Sequence, residues 1–217
     1  NFIQLFISSF SLALLAAFIC ILFAILIIYG VRTNSKIAAP FARIASLGYS
    51  IPGAVAAVAV LIPLAWIDNI ISNFALQYFN ISIGLLLTGS WFALLFAYLV
   101  RFLALSMHSV ENSFIKIPIS FDYAAKVLGK SNSSILSNIH ARIGLGGISL
   151  GLLIVFVDVL KELPATMILR PFGLSTLAIK AHEFAIDERL GDAAIPLLAI
   201  VVVCLLPLFI LARGIRH

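Results

Sequence analysis

Long apolar runs alternate with short polar breaks along the whole chain. Five runs are long enough to cross a bilayer, which takes about 20 apolar residues: Leu5–Tyr29, Gly48–Ile67, about Ile83–Val100, Ile143–Leu160 and Ala193–Ala212. The first and last carry no charge, and the fourth carries one, Asp158. The break between the third and fourth runs differs from the others. Its central stretch, "FDYAAKVLGKSNSSILSNIHARIG", is small, polar and interrupted by glycine, so it belongs in water rather than lipid. Pro118 stops what precedes it, Ser120 is placed to cap a short helix, and Gly129 is placed to close that helix. Ser131 or Ser133 then caps a second helix carrying Ile135, Leu136 and Ile139 at helical spacing. Residues 111–143 are thus expected to form a helix–Gly–helix ledge on which Tyr123, Ala124 and Ala125 present a flat, small surface. The residues alone leave a second reading open, a solvated loop whose amphipathic helices lie on the headgroups.

Composition narrows the class. At 63% hydrophobic and 11% charged, with mean hydropathy +1.17, the chain lies far outside the range of soluble domains. The expectation is an all-α polytopic membrane helix bundle of about five transmembrane helices, one domain over residues 1–217. Segments outside the runs are too short to hold a core of their own. Basic residues set the orientation. Arg32, Lys36 and Arg43 follow the first run, Arg101, Lys116, Lys126, Lys130 and Arg142 follow the third, and Arg213 and Arg216 end the chain. The other connections hold only Lys161, Arg170, Lys180 and Arg189. With the more basic side cytoplasmic, the chain starts outside and ends inside, and its net charge of +5 reports topology rather than nucleic-acid binding. An odd number of spans beginning at Asn1 suggests the later part of a longer chain. The second run, "GYSIPGAVAAVAVLIPLAWI", has the small residues of a helix buried within a bundle, with Pro52 and Pro63 as kink positions. Trp66 and Trp91 suit span ends, and Cys20 and Cys204 are small hydrophobes in apolar runs.

No catalytic site is expected. The chain lacks a GxxxxGK[ST] loop, a GxSxG elbow and an HExxH helix, and its histidines, His108, His140, His182 and His217, lack ligand spacing. Any work driven by ATP requires another chain. A charged cluster, Asp158, Lys161, Glu162 and Arg170 around Pro164, stands at the outer end of the fourth run. Asp158, Lys161 and Glu162 share a helix face, so Asp158 and Lys161 are placed to pair. Charge there has two readings: a buried ion-pair network fixing a helix break, or a translocation-path gate or transient cation contact. No dedicated metal site is expected. The segment "HEFAIDERLGDAA" reads either as a solvated helix or as a landing surface for a partner outside the membrane.

The ledge resembles the EAA loop of binding-protein-dependent ABC transporter permeases, E-A-A-x3-G-x9-I-x-L-P. Ala124, Ala125, Gly129 and Ile139 match, while Tyr123 replaces the Glu, Ala141 the Leu and Arg142 the Pro. Asp122, one residue early, supplies a carboxylate. "VFVDVLKELPATMILRPFGLSTLA" is similar to the KELPATLLLRPFG-type signature of the ferric-iron permeases of that superfamily, and "GYSIPGAVAAV" and "RFLALSMHSVE" are similar to their segments in the same order. The resemblance implies the C-terminal half of a bacterial inner-membrane permease that passes ferric iron inward. It further implies an ABC ATPase dimer carrying ATP and Mg, docked on Asp122, Tyr123, Ala124, Ala125, Gly129 and Ile139. A periplasmic iron-binding protein and the other permease half, or a second permease copy, complete the expected partners, and this chain itself binds no cofactor. A permease for thiamine or a polyamine, an ion-driven transporter or channel, and a non-transporting scaffold are the alternatives.

Overall fold

The structure, a computed structural model, describes residues 2–214, which form helices and connections without strands. Its first helix, α1 (Phe2–Arg32), is the first apolar run extended at both ends. Leu12, Ala13, Ala16, Ala17, Cys20, Ile21 and Ala24 recur at helical spacing and are buried. On the other side Ile7, Phe18, Leu22 and Leu26 stay exposed, as a lipid-facing surface requires. A short helix, α2 (Ala38–Ser46), and a 3-10 turn at Gly48–Ser50 lead into α3 (Gly53–Phe79).

The second run behaves differently from expectation. Pro52 caps α3 rather than kinking a span, and only Pro63 lies inside the helix. The small residues Gly53, Ala56 and Ala57 do face the core, but as one stripe; Val55, Val58, Ile62 and Trp66 are exposed. The helix also runs past Ile67, so Asp68 is part of it and Trp66 is not at its end. Asp68 is buried because its carboxylate accepts from the backbone N–H groups of Leu86, Leu87 and Thr88 and from the Thr88 hydroxyl, anchoring the returning chain. Asn80, in the left-handed region at φ 54°, ends the helix.

The third run is displaced. Residues 81–90 form an extended segment and a turn, with Gly89 at φ 71°, and Ser90 caps α4 (Trp91–Phe114) by accepting from the Ala93 N–H. Arg101, expected in a connection, therefore lies inside a helix, where a charge needs a partner. The ledge follows as α5 (Ile119–Val127), α6 (Asn132–Ile135), a π-turn at Leu136–His140 and α7 (Ala141–Ile143). Next come α8 (Leu145–Leu160), the short α9 (Pro164–Leu169), α10 (Leu177–Ile186) and α11 (Leu190–Gly214).

Among the described residues α1, α3 and α4 are each long and apolar enough to cross a membrane. The pair Asn132–Ile143 and Leu145–Leu160, bent by 77°, can serve as a fourth crossing, and Leu190–Leu205 of α11 is a shorter apolar helix. This is the architecture of a multi-pass membrane protein. The main core lies where α1, α4 and α8 meet, with Tyr98, Phe102, Val155 and Phe156 at its centre. A second cluster, built on Tyr29, Met107, Phe114, Ile117, Ala125 and Ile135, fills the ledge end. Arg216 and His217 lie outside the described residues, as does the side chain of Arg213.

Candidate functional site: the ledge and the helix break

The ledge takes the form that its residues dictate. Pro118, not Ser120, is the N-cap of α5, and Ser131 caps α6 by accepting from the Ser134 N–H at 3.3 Å. At the end of α5 the Lys130 N–H donates to the Ala125 carbonyl at 3.0 Å and the Gly129 N–H to the Lys126 carbonyl at 2.9 Å. That pair of bonds is a Schellman closure, and it needs the residue between them in the left-handed region; Gly129 sits at φ 73°.

Outward, α5 presents Ile119, Tyr123, Ala124 and Val127, with Val127 88% exposed and Leu128 beside it 76% exposed. Two of the expected surface residues face inward instead. Ala125 is buried against the Phe114 and Ile135 cluster, and Ile139 packs partly against the same cluster. Asp122, expected on the docking surface, already has its partners within the chain. Its Oδ2 accepts from Arg32 Nε at 2.8 Å, and its Oδ1 lies 2.6 Å from His140 Nε2. Burial pushes the Asp122 carboxyl up, but the hydrogen bonds and charges of His140 and Arg32 outweigh it and hold the group below the usual carboxylate range. His140 itself is fully buried. Neither Arg32 nor His140 was legible as a site residue, because each lies far from Asp122 in sequence or on the wrong side of a turn whose π geometry no local pattern announces.

The charged cluster lies deeper than its position in the sequence suggested. The break after α8 lies against the middle of α4: Glu162 meets Arg101, and one turn on Thr166 Oγ1 is 2.6 Å from the Tyr98 hydroxyl. Lys161 Nζ lies 2.7 Å from Asp158 Oδ1, the expected pair. Tyr49 adds a long contact of 3.4 Å to the other oxygen. Glu162, 6% exposed, pairs with Arg101 of α4 at 2.5 Å and also accepts from the Ala165 N–H at 3.2 Å, capping α9 just where Pro164 opens it. Gly53 permits this arrangement: a Cβ there would come within 2.0 Å of Arg101 Nη1 and 2.5 Å of Glu162 Oε1. Arg170 is not part of the cluster. It lies 3.7 Å from Glu183 of α10, which also pairs with Lys180 at 3.0 Å, on the wall of an open cleft of about 700 Å³. Gln4, Ser8, Phe172 and Ser175 line the same cleft. Among the described residues no three His, Cys, Asp or Glu side chains converge as a metal site.

No protein-family model matches the chain. It is similar to the Fe(3+)-transport system permease protein FbpB 2 of Haemophilus influenzae, at 23% identity over 214 residues. That match covers 98% of this chain but 39% of the relative, so the chain spans about two fifths of that protein's length. Among solved structures it is similar to a chain of the MetNI methionine ABC transporter in an inward-facing conformation, with TM-score 0.61 and 17% identity over 99% of this chain and 96% of that one. At that identity the likeness shows the fold alone, an all-α polytopic helix bundle.

Proposed function

We propose that the chain is the membrane-spanning half of an ABC importer permease, set in a bacterial inner membrane, that passes ferric iron inward. ATP with Mg is hydrolysed on a separate ATPase dimer seated on the ledge, a binding protein delivers the iron at the opposite end, and a second permease half completes the path. The observation that carries the reading is the ledge. A short helix whose outer face is apolar and unpaired, closed by a left-handed glycine and fixed to spans on both sides, is the shape needed to pass a partner's motion into the bundle. Iron as the cargo is supported by the similarity to the Haemophilus protein. Asp158 with Lys161, Pro164 with Glu162, and Arg170 are proposed to line or brace the path. Glu162, paired and nearly buried, acts as a brace, and Arg170, a cation on the wall of the open cleft, is placed to meet an anion that accompanies the iron.

Uptake of labelled ferric iron in cells with and without the full-length gene tests this reading. The deletion is expected to lose the uptake, and the wild-type gene to restore it only while the ATPase subunit is active. Unchanged iron uptake in the deletion overturns the iron assignment, and a fall in thiamine or polyamine uptake would name the solute instead. Uptake that persists with an inactive ATPase would point to an ion-driven transporter.

A further inference from the structure

In sequence the ledge hangs between α4 and α8, so those two helices are the expected levers. Its strongest polar contacts are to a third element. Arg32, at the last turn of α1, uses its guanidinium fork on three acceptors: Nε to Asp122 Oδ2 at 2.8 Å, Nη1 to the Phe114 carbonyl at 2.7 Å and Nη2 to the Ile117 carbonyl at 2.7 Å. One side chain thus joins α1, the end of α4 and α5. The second oxygen of Asp122 is taken by His140 of the π-turn, and one turn back on α1 the Tyr29 hydroxyl donates to the Asn132 carbonyl of α6 at 2.9 Å. The Tyr29 and Phe114 rings close on His140 at 5.3 and 5.0 Å. The Arg32 and Asp122 side chains are only 14% and 12% exposed. Charge-assisted bonds in such a setting are short and directional, and the ledge cannot shift without breaking them or carrying α1 with it.

The other end of α1 is tied as well. Ser9 Oγ accepts from the Leu177 N–H at 2.7 Å, at the first residue of α10. Gln4, Leu5 and Ser8 form one wall of the cleft whose other wall carries Arg170, Lys180 and Glu183. A helix transmits axial displacement with little loss, and α1 is bonded to a different element at each end. Resting on the reading of the ledge as the ATPase dock, we propose that Arg32, Asp122 and His140 latch the ledge to α1, and that α1 relays ledge movement to the cleft between α1 and α10. Arg32, Asp122 and Ser9 are positioning residues of this relay.

The test uses the full-length permease in a cysteine-free background, co-purified with its ATPase. Phe172→Cys, on the fully exposed rim of the cleft, is labelled with a membrane-impermeant maleimide with and without ATP plus vanadate. The expected result is a nucleotide-dependent change in labelling rate of about fivefold or more in the parent. That change is lost in Arg32→Ala while ATPase remains bound and hydrolyses ATP. Ser9→Ala cuts the relay at its far end with the ledge untouched, and it decides the matter if the Arg32 variant fails to fold. A nucleotide response retained in Ser9→Ala or Arg32→Ala, or absent from the parent with ATPase bound, overturns the relay. Failure of the parent to retain ATPase overturns the docking reading, and the relay with it.

Discussion

Two buried ion pairs hold this molecule together at the level of single residues, and they respond differently to change. Glu162 and Arg101 are both largely withdrawn from solvent, and removing one charge leaves the other uncompensated. Glu162→Gln is expected to destabilise the detergent-solubilised protein by about 3 kcal/mol, read as a fall in melting temperature. Gly53→Ala, which drives a methyl into the same pair, is expected to lower it too. Asp122 gives a pH signature. Its carboxyl is held below its usual value, so the stabilisation it contributes is complete above the unfolded-state pKa of about 3.9 and is lost as pH falls through the folded value. Melting temperature should therefore be insensitive to this group from neutrality to about pH 5 and drop below about pH 4, and the acid-sensitive part should shrink in Asp122→Asn. Asp158 with Lys161 was readable from an i, i+3 spacing, whereas Arg101 was not readable as the partner of Glu162. The pairing joins residues 101 and 162 through the packing of two helices, and a pattern along one chain segment carries no record of that.

Among the elements, the ledge was legible because its signals are local: the Pro118 stop, the Gly129 closure and the Ser131 cap all act within one turn of where they stand, whereas Ser120 lies inside α5 and caps nothing. The displaced third helix shows the converse. Ile83–Leu87 is as apolar as any span, but Asp68 captures its backbone N–H groups and Ser90 opens the helix later, so hydropathy alone misplaced the start. Ala125 shows a third limit, since smallness suits a buried contact as well as a docking face, and here the contact is internal. Gly129 offers the clearest test at this scale. Nothing lies within 4 Å of a Cβ built there, so the cost of Gly129→Val is backbone strain alone, about 1–3 kcal/mol for a branched residue at φ 73°. The expected outcome is a disordered α5–α6 junction, seen as faster amide exchange from Lys126 to Ser134, with the spans unchanged. Protection equal to the parent would contradict the glycine's role.

For the whole molecule, the alternation of apolar runs and the basic connections were enough to place the chain among polytopic helix bundles, and the TM-score of 0.61 to a MetNI transporter chain agrees. Depth was the part that the pattern could not carry. A break one residue past an apolar run looks terminal in sequence, yet α8 is short and the break after it lies against the middle of α4, where Glu162 meets Arg101. The central claim is that the ledge is where an ATPase docks, and Val127 is the residue to probe because its side chain lies almost wholly in solvent and supports nothing inside the fold. The most direct measurement is capture of the ATPase subunit by full-length permease carrying Val127→Asp, with melting temperature followed in parallel. Capture reduced tenfold or more, about 1.4 kcal/mol, at unchanged melting temperature is the predicted result; undiminished capture would contradict the docking assignment.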